Sequence, residues 1–191
     1  MIIKIDVDGV IRDIISAMCE IYNARFGGNL CVEDIDDYDI NTNFPKIMEE
    51  MRETPVEYFF THHGDDIFEY VSKPFEGVKD SIDKLCNFGH KVVIVTWQFS
   101  LKNIIHTLRF LDKYGIRYHD ICFTKDKWMI RGDYLIDDNP EFIMDKRDKS
   151  SKIVIDTPYN RHISKKYRRA GSLEEAVDII INETLDKSEA A

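Results

Sequence analysis

The stretch Ile2-Ile-Lys-Ile-Asp-Val-Asp-Gly-Val-Ile-Arg-Asp13 decides the fold of this chain. Its first residues form an apolar run that is too short for a helix and rich in β-branched side chains, which predicts a buried parallel strand. Two carboxylates, Asp6 and Asp8, follow at the end of that strand, with Gly9 next. Ligands of open α/β sheets bind at the carboxyl ends of strands, and adjacent carboxylates raise each other's pKa unless a cation neutralises them. We therefore expect a Mg²⁺ site and metal-assisted chemistry on a phosphate.

Length and charge narrow the classes of protein that need to be considered. At 191 residues the chain suits one domain, or one domain with a large insertion. The net charge of −9 argues against a nucleic-acid polymer as partner, because duplex binding depends on clustered Lys and Arg. No apolar stretch reaches the roughly 18 residues of a membrane span, so we expect no membrane partner. The sequence leaves open whether the protein is a monomer or a homodimer.

The cysteines and the start of the chain bear on its location. None of the four cysteines forms a Cys-x-x-Cys pair, and they are typical of free thiols in a reducing compartment. Met1 leads directly into the first strand, which leaves no room for a signal peptide. We therefore expect a cytoplasmic protein.

Apolar periodicity predicts alternating strands and helices after residue 75. Strands are expected there at 92–95, 119–123, 134–136 and 153–155, and helices at 78–88, 100–113 and 172–185; a further helix is expected earlier, from Asp13 to Phe26. This alternation predicts a Rossmann-like α/β fold, a parallel sheet with right-handed crossovers and helices on both faces. The basic run at 161–169 is interpreted as a solvated helix face.

The segment 14–75 is too long and too poor in strand patterns for a single crossover. It carries acidic turns, an Asn-rich stretch and helical patterns, and we interpret it as a helical cap inserted after the first strand. The predicted domains are therefore an α/β core (1–13 and 76–187), a helical cap (14–75) and a tail (188–191).

Polar residues follow each predicted strand in an order that is more informative than any one of them. Thr96 ends the second strand, Thr124-Lys-Asp-Lys127 follows the third, and Asp137-Asp138 ends the fourth. Taken singly, each has an ordinary explanation, such as a solvated strand end or a helix N-terminus capped by carboxylates. Because parallel strands end at one edge of a sheet, we expect these groups to converge there.

In this order the motifs resemble those of the haloacid dehalogenase superfamily of phosphohydrolases. Within it, three stretches resemble the 5′(3′)-deoxyribonucleotidase family: Asp6–Asp13, Thr124–Asp138 and Thr157–Arg161. The resemblance implies a Mg²⁺-dependent phosphomonoesterase that hydrolyses (deoxy)nucleoside monophosphates through an aspartyl-phosphate. The expected partner is thus a small phosphate ester.

The resemblance also implies roles for individual residues. Asp6 would be the nucleophile, and Asp8 the general acid and then the general base. Mg²⁺ would be bound by the Asp6 carboxylate, the Asp8 backbone carbonyl and one acid of the Asp137-Asp138 pair. We favour Asp138 as that ligand and Asp137 as its neighbour that holds a water or the lysine, although the sequence does not separate the two.

Two further groups would bind the phosphate. Thr96 would donate its hydroxyl to a phosphoryl oxygen, and a lysine would bind a second one. Lys127 is preferred to Lys125, because it stands ten positions before Asp137, as the family spacing implies. Gly9 would let backbone amides approach the phosphate closely.

Aromatic and polar residues at strand ends and in loops are candidates for binding the rest of the substrate. Phe44 lies in an Asn-rich loop and Trp97 at a strand end, so either can stack on a base. Asn160, just past the last predicted strand, is expected to line the site. Trp97-Gln98 departs from the family, whose members usually carry a small residue after the threonine.

Two alternatives remain open. The same chemistry could serve another small phosphate ester, such as a sugar phosphate. A receiver-type phosphoaspartate signalling domain also uses acids, Thr and Lys. That domain places its acid pair at the first strand and its phosphorylated Asp in mid-chain, and it has no large insertion after the first strand. This chain has the reverse arrangement, with the candidate nucleophile at the first strand, a later acid pair and a long insertion.

Overall fold

The central sheet has six strands, all parallel, as the alternating pattern predicted. The computed structural model describes the backbone of residues 1–189 and the side chains of residues 1–186. The strand order is β3-β2-β1-β4-β5-β6. The strands are β1 (Ile2–Ile5), β2 (Lys91–Thr96), β3 (Asp120–Phe123), β4 (Tyr134–Asp137), β5 (Ser151–Ile155) and β6 (Arg168–Ala170). The α/β fold class is confirmed.

Strand β1 lies at the centre, between β2 and β4, and Ile3, Lys4 and Ile5 are fully buried there. Ile5 is in register with Ile94 of β2 and Ile136 of β4. The carboxyl ends of β1, β2 and β4 therefore lie side by side at one edge of the sheet.

Within residues 1–189, seven α-helices accompany the sheet, and the long ones lie close to their predicted positions. They are α1 (Ile14–Phe26), α2 (Ile40–Asn43), α3 (Pro55–Glu57), α4 (Val78–Asn87), α5 (Leu101–Lys113), α6 (Pro140–Met144) and α7 (Leu173–Glu189). Helix α7 continues past its predicted end at 185 and into the predicted tail, of which residues 190–191 lie outside the described part. None of the described helices is both long and apolar enough to cross a membrane.

The basic run near the C-terminus is not a helix face, so that prediction is wrong. Arg168–Ala170 form the edge strand β6, in register with Ile153–Ile155 of β5. Arg169 donates to Asp156 and to Asn160 Oδ1, the latter at 2.7 Å. A three-residue strand at the sheet edge needs only Ala170 in the core, so no apolar run marks it in the sequence.

The segment 14–75 contains helical turns and, among the described residues, no strand. Besides α1 to α3 it forms a 3₁₀ turn at Val32–Asp34 and π-helical turns at Ile47–Met51, Tyr58–His62 and Asp66–Val71. Its buried apolar side chains form a cluster separate from the one around the sheet. That cluster also includes Tyr159 of the loop after β5, and the division into a sheet core and a helical insertion stays a prediction.

Strand β1 carries a fully buried lysine whose ammonium supports a neighbouring loop. Lys4 Nζ lies 2.6 Å from Asp148 Oδ2, and it donates to the carbonyl oxygens of Lys127 (3.2 Å) and Ile130 (3.1 Å). Burial alone would raise the pKa of Asp148, but its hydrogen bonds with Lys4 and Ser150 outweigh burial, and this pKa lies below its ordinary value. Lys4 therefore fastens the segment that carries Lys127 to the central strand.

We expect Lys4→Met to lower the free energy of unfolding at pH 7 by about 3–5 kcal/mol, because it leaves Asp148 buried without its charged partner. The folded pKa of Asp148 is lowered, so its contribution is present above the unfolded value of about 3.9 and is lost as pH falls through the folded pKa. Urea denaturation at pH 7 and at low pH measures both effects. The double variant Lys4→Met/Asp148→Leu should lose less than the single one. Equal losses would contradict this account of the pair.

Candidate active site

The predicted polar groups converge on one cavity at the carboxyl edge of the sheet. The cavity has a volume of about 430 Å³. Among the residues that line it are six of those expected from the sequence: Asp6, Asp8, Thr96, Trp97, Lys127 and Asp138. The spatial convergence on which the sequence argument depended is therefore present.

A tight turn after β1 presents the two acids. The carbonyl oxygen of Val7 accepts hydrogen bonds from the amides of Val10, Ile11 and Arg12. Gly9 has a φ of +80°, and a Cβ at this position would lie 2.2 Å from Asp138 Oδ2. Only glycine therefore fits both the backbone conformation and the close approach of Asp138.

The predicted approach of backbone amides to the phosphate at Gly9 stays a prediction. The Gly9 amide donates to the carbonyl oxygen of Arg12 at 3.0 Å, and Gly9 does not line the cavity. Its role is to make room for Asp138.

Three buried carboxylates form a group suited to a divalent cation. Oxygens of Asp6, Asp137 and Asp138 all lie within 4.8 Å of one another. Among the described side chains, the ammonium of Lys127 pairs with two of these acids, Asp6 and Asp137, so the group carries two excess negative charges when all four side chains are ionised. Carboxylate oxygens are the ligands that Mg²⁺ prefers. The side chain of Asp8 is outside this group, and its predicted contribution through the backbone carbonyl stays a prediction.

Two of these acids have raised pKa values. Burial raises the pKa of Asp6 to about 7; Lys127 opposes this shift, and Asp137 and Asp8 add to it. Burial, together with the charges of Asp137 and Asp6, also raises the pKa of Asp138 well above its ordinary value. A bound cation would reverse both shifts.

We expect Mg²⁺ to raise the Tm of the protein, and to raise it more at about pH 8 than at about pH 5.5. Binding requires ionised carboxylates, so it competes with protons at Asp6 and Asp138. Without metal, the contribution of Asp6 to stability is fully present below its unfolded pKa of about 3.9 and is lost as pH rises through its folded pKa of about 7. Thermal denaturation with EDTA or MgCl₂ at both pH values measures the difference.

Asp138→Asn serves as the test variant for this prediction and the exposed Asp112→Asn as its control. The control should keep the Mg²⁺-dependent increment in Tm, and Asp138→Asn should lose it. A Mg²⁺-dependent increase in Tm that does not change with pH, or that Asp138→Asn retains, would contradict the assignment of the metal site.

Lys127 lies between two of the acids. Its Nζ is 2.9 Å from Asp6 Oδ1 and 2.7 Å from Asp137 Oδ2. Burial lowers the pKa of this ammonium, but the charges of Asp137 and Asp6 outweigh burial, and the pKa is raised. Asp137 also accepts the amide of Asn139 through Oδ1, so it holds Lys127 from a fixed position.

Lys125, the alternative lysine, points elsewhere. Its Nζ lies 3.9 Å from the centre of the Trp97 ring, and Lys125 is not among the residues that line the cavity. Within the described part of the chain Lys125 is not paired with Asp6. The geometry therefore favours Lys127, the residue preferred from the spacing.

Asp138 is fixed by two residues of the loop after β5. Tyr159 donates its hydroxyl to Asp138 Oδ2, and Asn160 donates to the carbonyl oxygen of Asp138 at 2.9 Å. Asn160 is fully buried and also donates to the carbonyl oxygen of Ile155, so the prediction that it lines the site is wrong. Tyr159 was missed from the sequence, although it lies in the Thr157–Arg161 stretch that carries part of the family resemblance.

Apolar side chains form the other wall of the cavity, and most come from the insertion. The apolar and aromatic lining consists of Ile14, Ile15, Met18, Ile35, Tyr38, Ile40, Val56, Phe60, Trp97, Phe99, Phe142 and Tyr159. Trp97 is placed as predicted. Phe44 is not: it is 0% exposed and packs against Tyr22 and Phe59, so its predicted contact with substrate is wrong. The Asn-rich loop suggested exposure, but the insertion buries this ring in its own core.

A parallel sheet with an acid pair after its first strand, a lysine and a second acid pair at the neighbouring strand ends, and a helical insertion defines the haloacid dehalogenase class of α/β proteins. A protein described as "a predicted phosphatase from Clostridium acetobutylicum" shares the fold, with a TM-score of 0.62 and 12% identity over 95% of this chain and 98% of that one. The D,D-heptose 1,7-bisphosphate phosphatase of B. bronchiseptica gives a TM-score of 0.51, also at 12% identity, over 95% and 98%.

The chain belongs to the family described as 5′ nucleotidase, deoxy (Pyrimidine), cytosolic type C protein, whose model matches residues 1–185. A curated relative from Chlorobaculum tepidum, named "Putative 5′(3′)-deoxyribonucleotidase", is 30% identical over 110 residues. That match spans 54% of this chain and 54% of the relative, about half the length of each.

Proposed function

We propose that the protein is a Mg²⁺-dependent phosphomonoesterase that hydrolyses (deoxy)nucleoside monophosphates through an aspartyl-phosphate on Asp6. One observation carries this proposal: a buried nucleophile candidate, Asp6, lies beside Lys127 on the floor of a cavity whose opposite wall is apolar. The polar floor suits a phosphate, and the apolar wall suits a base or sugar. Family membership supports the same activity.

The metal site of the proposal uses the acids described above. Asp6 and Asp138, with the Asp8 backbone carbonyl, would hold Mg²⁺, and Asp137 would hold Lys127. The ion, when bound, supplies positive charge that offsets the repulsion between carboxylates and phosphate and stabilises the transition state. The structure of the B. bronchiseptica phosphatase contains magnesium and phosphate, which is consistent with this assignment.

The proposed reaction assigns to these side chains the roles that the family resemblance implies. The Asp6 carboxylate attacks phosphorus, the ester P–O bond breaks, and Asp8 gives its proton to the leaving alkoxide. Asp8 then takes a proton from a water that attacks the aspartyl-phosphate, which releases inorganic phosphate and restores Asp6. Thr96 and Lys127 each bind a phosphoryl oxygen, and Lys127 also orients Asp6.

A substrate panel tests the specificity. We expect dUMP and dTMP to have kcat/KM values at least about tenfold above those of ribose 5-phosphate and glycerol 3-phosphate, because only the nucleotides fill the apolar wall. Trp97→Ala should raise KM for the nucleotides and leave the sugar phosphates nearly unchanged. Equal rates across the panel would favour the alternative, a phosphatase for another small ester. Phosphate retained on the protein without turnover of p-nitrophenyl phosphate would indicate a receiver domain instead.

We further propose that the protein acts in the cytoplasm on small molecules, as a monomer or homodimer, without a nucleic-acid polymer or a membrane as partner. All four cysteines are free thiols, which suits a reducing compartment. The family model is of a cytosolic type.

A further inference from the structure

The carboxylate of Asp8 is held at both oxygens by residues from two separate elements. Arg12 Nε lies 2.7 Å from Oδ1, and Gln98 Nε2 donates to Oδ2 at 2.9 Å. The turn after β1 brings Arg12 next to Asp8, and Gln98 follows the end of β2. The carboxylate is therefore fixed at the wall of the cavity.

Burial of the Arg12 guanidinium costs free energy, which the contact with Asp8 offsets. Its side chain is fully buried, and the guanidinium lies between the rings of Phe68 and Phe110, at 4.4 Å and 5.0 Å from their centres. Nη2 donates to Thr107 Oγ1 at 3.2 Å. Among the described side chains, Asp8 is the one carboxylate paired with Arg12. Buried ion pairs are often no better for stability than apolar residues of the same size, so packing alone does not explain an arginine here.

We propose that Arg12 and Gln98 are positioning residues that fix the carboxylate of Asp8 for proton transfer to the leaving group. Each carboxylate oxygen has two acceptor positions, so an oxygen held by Arg12 or Gln98 keeps one for the transferred proton. The proton moves from Asp8 to the ester oxygen as the P–O bond breaks. Phe68 belongs to the insertion and Phe110 to α5, so Arg12 also links Asp8 to the contact between insertion and core. The inference rests on the proposed function, since it assigns Asp8 the role of general acid.

The way in which kcat/KM changes with the leaving group distinguishes a positioning role of Arg12 and Gln98 from a purely structural one. An alkoxide needs a proton as it leaves, whereas p-nitrophenolate leaves as a stable anion. The ratio kcat/KM reports only the steps through formation of the aspartyl-phosphate, so the later role of Asp8 as a base does not enter. A loss confined to alkyl esters therefore indicates misplacement of the general acid.

We expect Gln98→Leu and Arg12→Gln to lower kcat/KM for dUMP and ribose 5-phosphate by about 10- to 100-fold, part of the 10²–10⁴ that a general acid contributes. For p-nitrophenyl phosphate the same variants should stay within about threefold of wild type. Arg12→Lys should recover part of the loss, because an ammonium keeps the charge but not the fork of donors. Arg117→Gln, an exposed arginine paired with Asp83, is the matched control and should match wild type on all three esters.

Equal losses on alkyl and aryl esters, or no loss in Gln98→Leu, would overturn the inference. If Arg12 variants fail to fold, Gln98→Leu and Gln98→Asn decide it alone, with Tm measured for each. Wild-type protein that hydrolyses none of the three esters would overturn the proposed function and this inference together. Faster ribose 5-phosphate than dUMP hydrolysis would remove only the nucleotide specificity, since both are alkyl esters.

Discussion

Asp6→Asn is expected to abolish hydrolysis of every phosphate ester, with a loss in kcat of about 10⁴-fold or more. An amide is a poor nucleophile and cannot form the aspartyl-phosphate. The fold should survive, because the substitution puts an isosteric neutral amide in place of a buried carboxylate. Burial raises the pKa of that carboxylate to about 7. We expect the Tm of the metal-free variant to equal or exceed that of wild type at pH 8. Steady-state rates and thermal denaturation provide both measurements.

Asp112→Asn is the matched control for this substitution, since Asp112 is exposed on α5 and outside the site. It should keep wild-type kcat and Tm. Near-normal turnover in Asp6→Asn would remove Asp6 as the nucleophile, whatever the effect on stability.

Lys127→Met is expected to lower kcat by about 10²–10³-fold, whereas Lys125→Met should change it by less than about threefold. Lys127 contacts Asp6 and Asp137, while Lys125 lies over the ring of Trp97 and does not line the cavity. Lys127 also lowers the pKa of Asp6, so its removal should raise that pKa further. The acid limb of the pH–rate profile should therefore move to higher pH in Lys127→Met and stay in place in Lys125→Met.

The two lysines serve as controls for each other, because both substitutions remove one positive charge. Tm values in saturating Mg²⁺ show whether Lys127→Met is folded, since leaving Asp137 buried without its partner costs stability. A larger loss of kcat in Lys125→Met than in Lys127→Met would reverse the assignment.

The architecture and the polar floor of the site could be read from the sequence because both depend on strong local patterns. Apolar runs mark β1, β2, β4 and β5, and parallel strands necessarily end at one edge, so the convergence of Asp6, Thr96 and Asp138 follows from strand order. Edge strand β6 was not predicted, because Arg168–Ala170 is short and mostly polar. The π-helical turns of the insertion have no distinct periodicity.

Side-chain placement beyond the strand ends depends on tertiary packing, which a single sequence does not encode locally. Phe44 looked exposed but is buried, and Asn160 looked like a site residue but holds the backbone of Asp138. Lys4 and Arg12 look like ordinary surface charges in the sequence, yet both are fully buried. Each is accommodated only because Asp148 or Asp8 comes close in the folded chain.

A crystal structure of the protein with Mg²⁺ and beryllium fluoride, a mimic of a phosphoryl group on a carboxylate, tests the central assignment most directly. The account predicts the fluoride complex on the Asp6 carboxylate, within reach of Thr96 and Lys127. It also predicts an ion bound by Asp6 and Asp138 at about 2.0–2.1 Å, the usual Mg²⁺–oxygen distance. Beryllium fluoride on a different carboxylate, or an ion that leaves Asp138 without a contact, would contradict it.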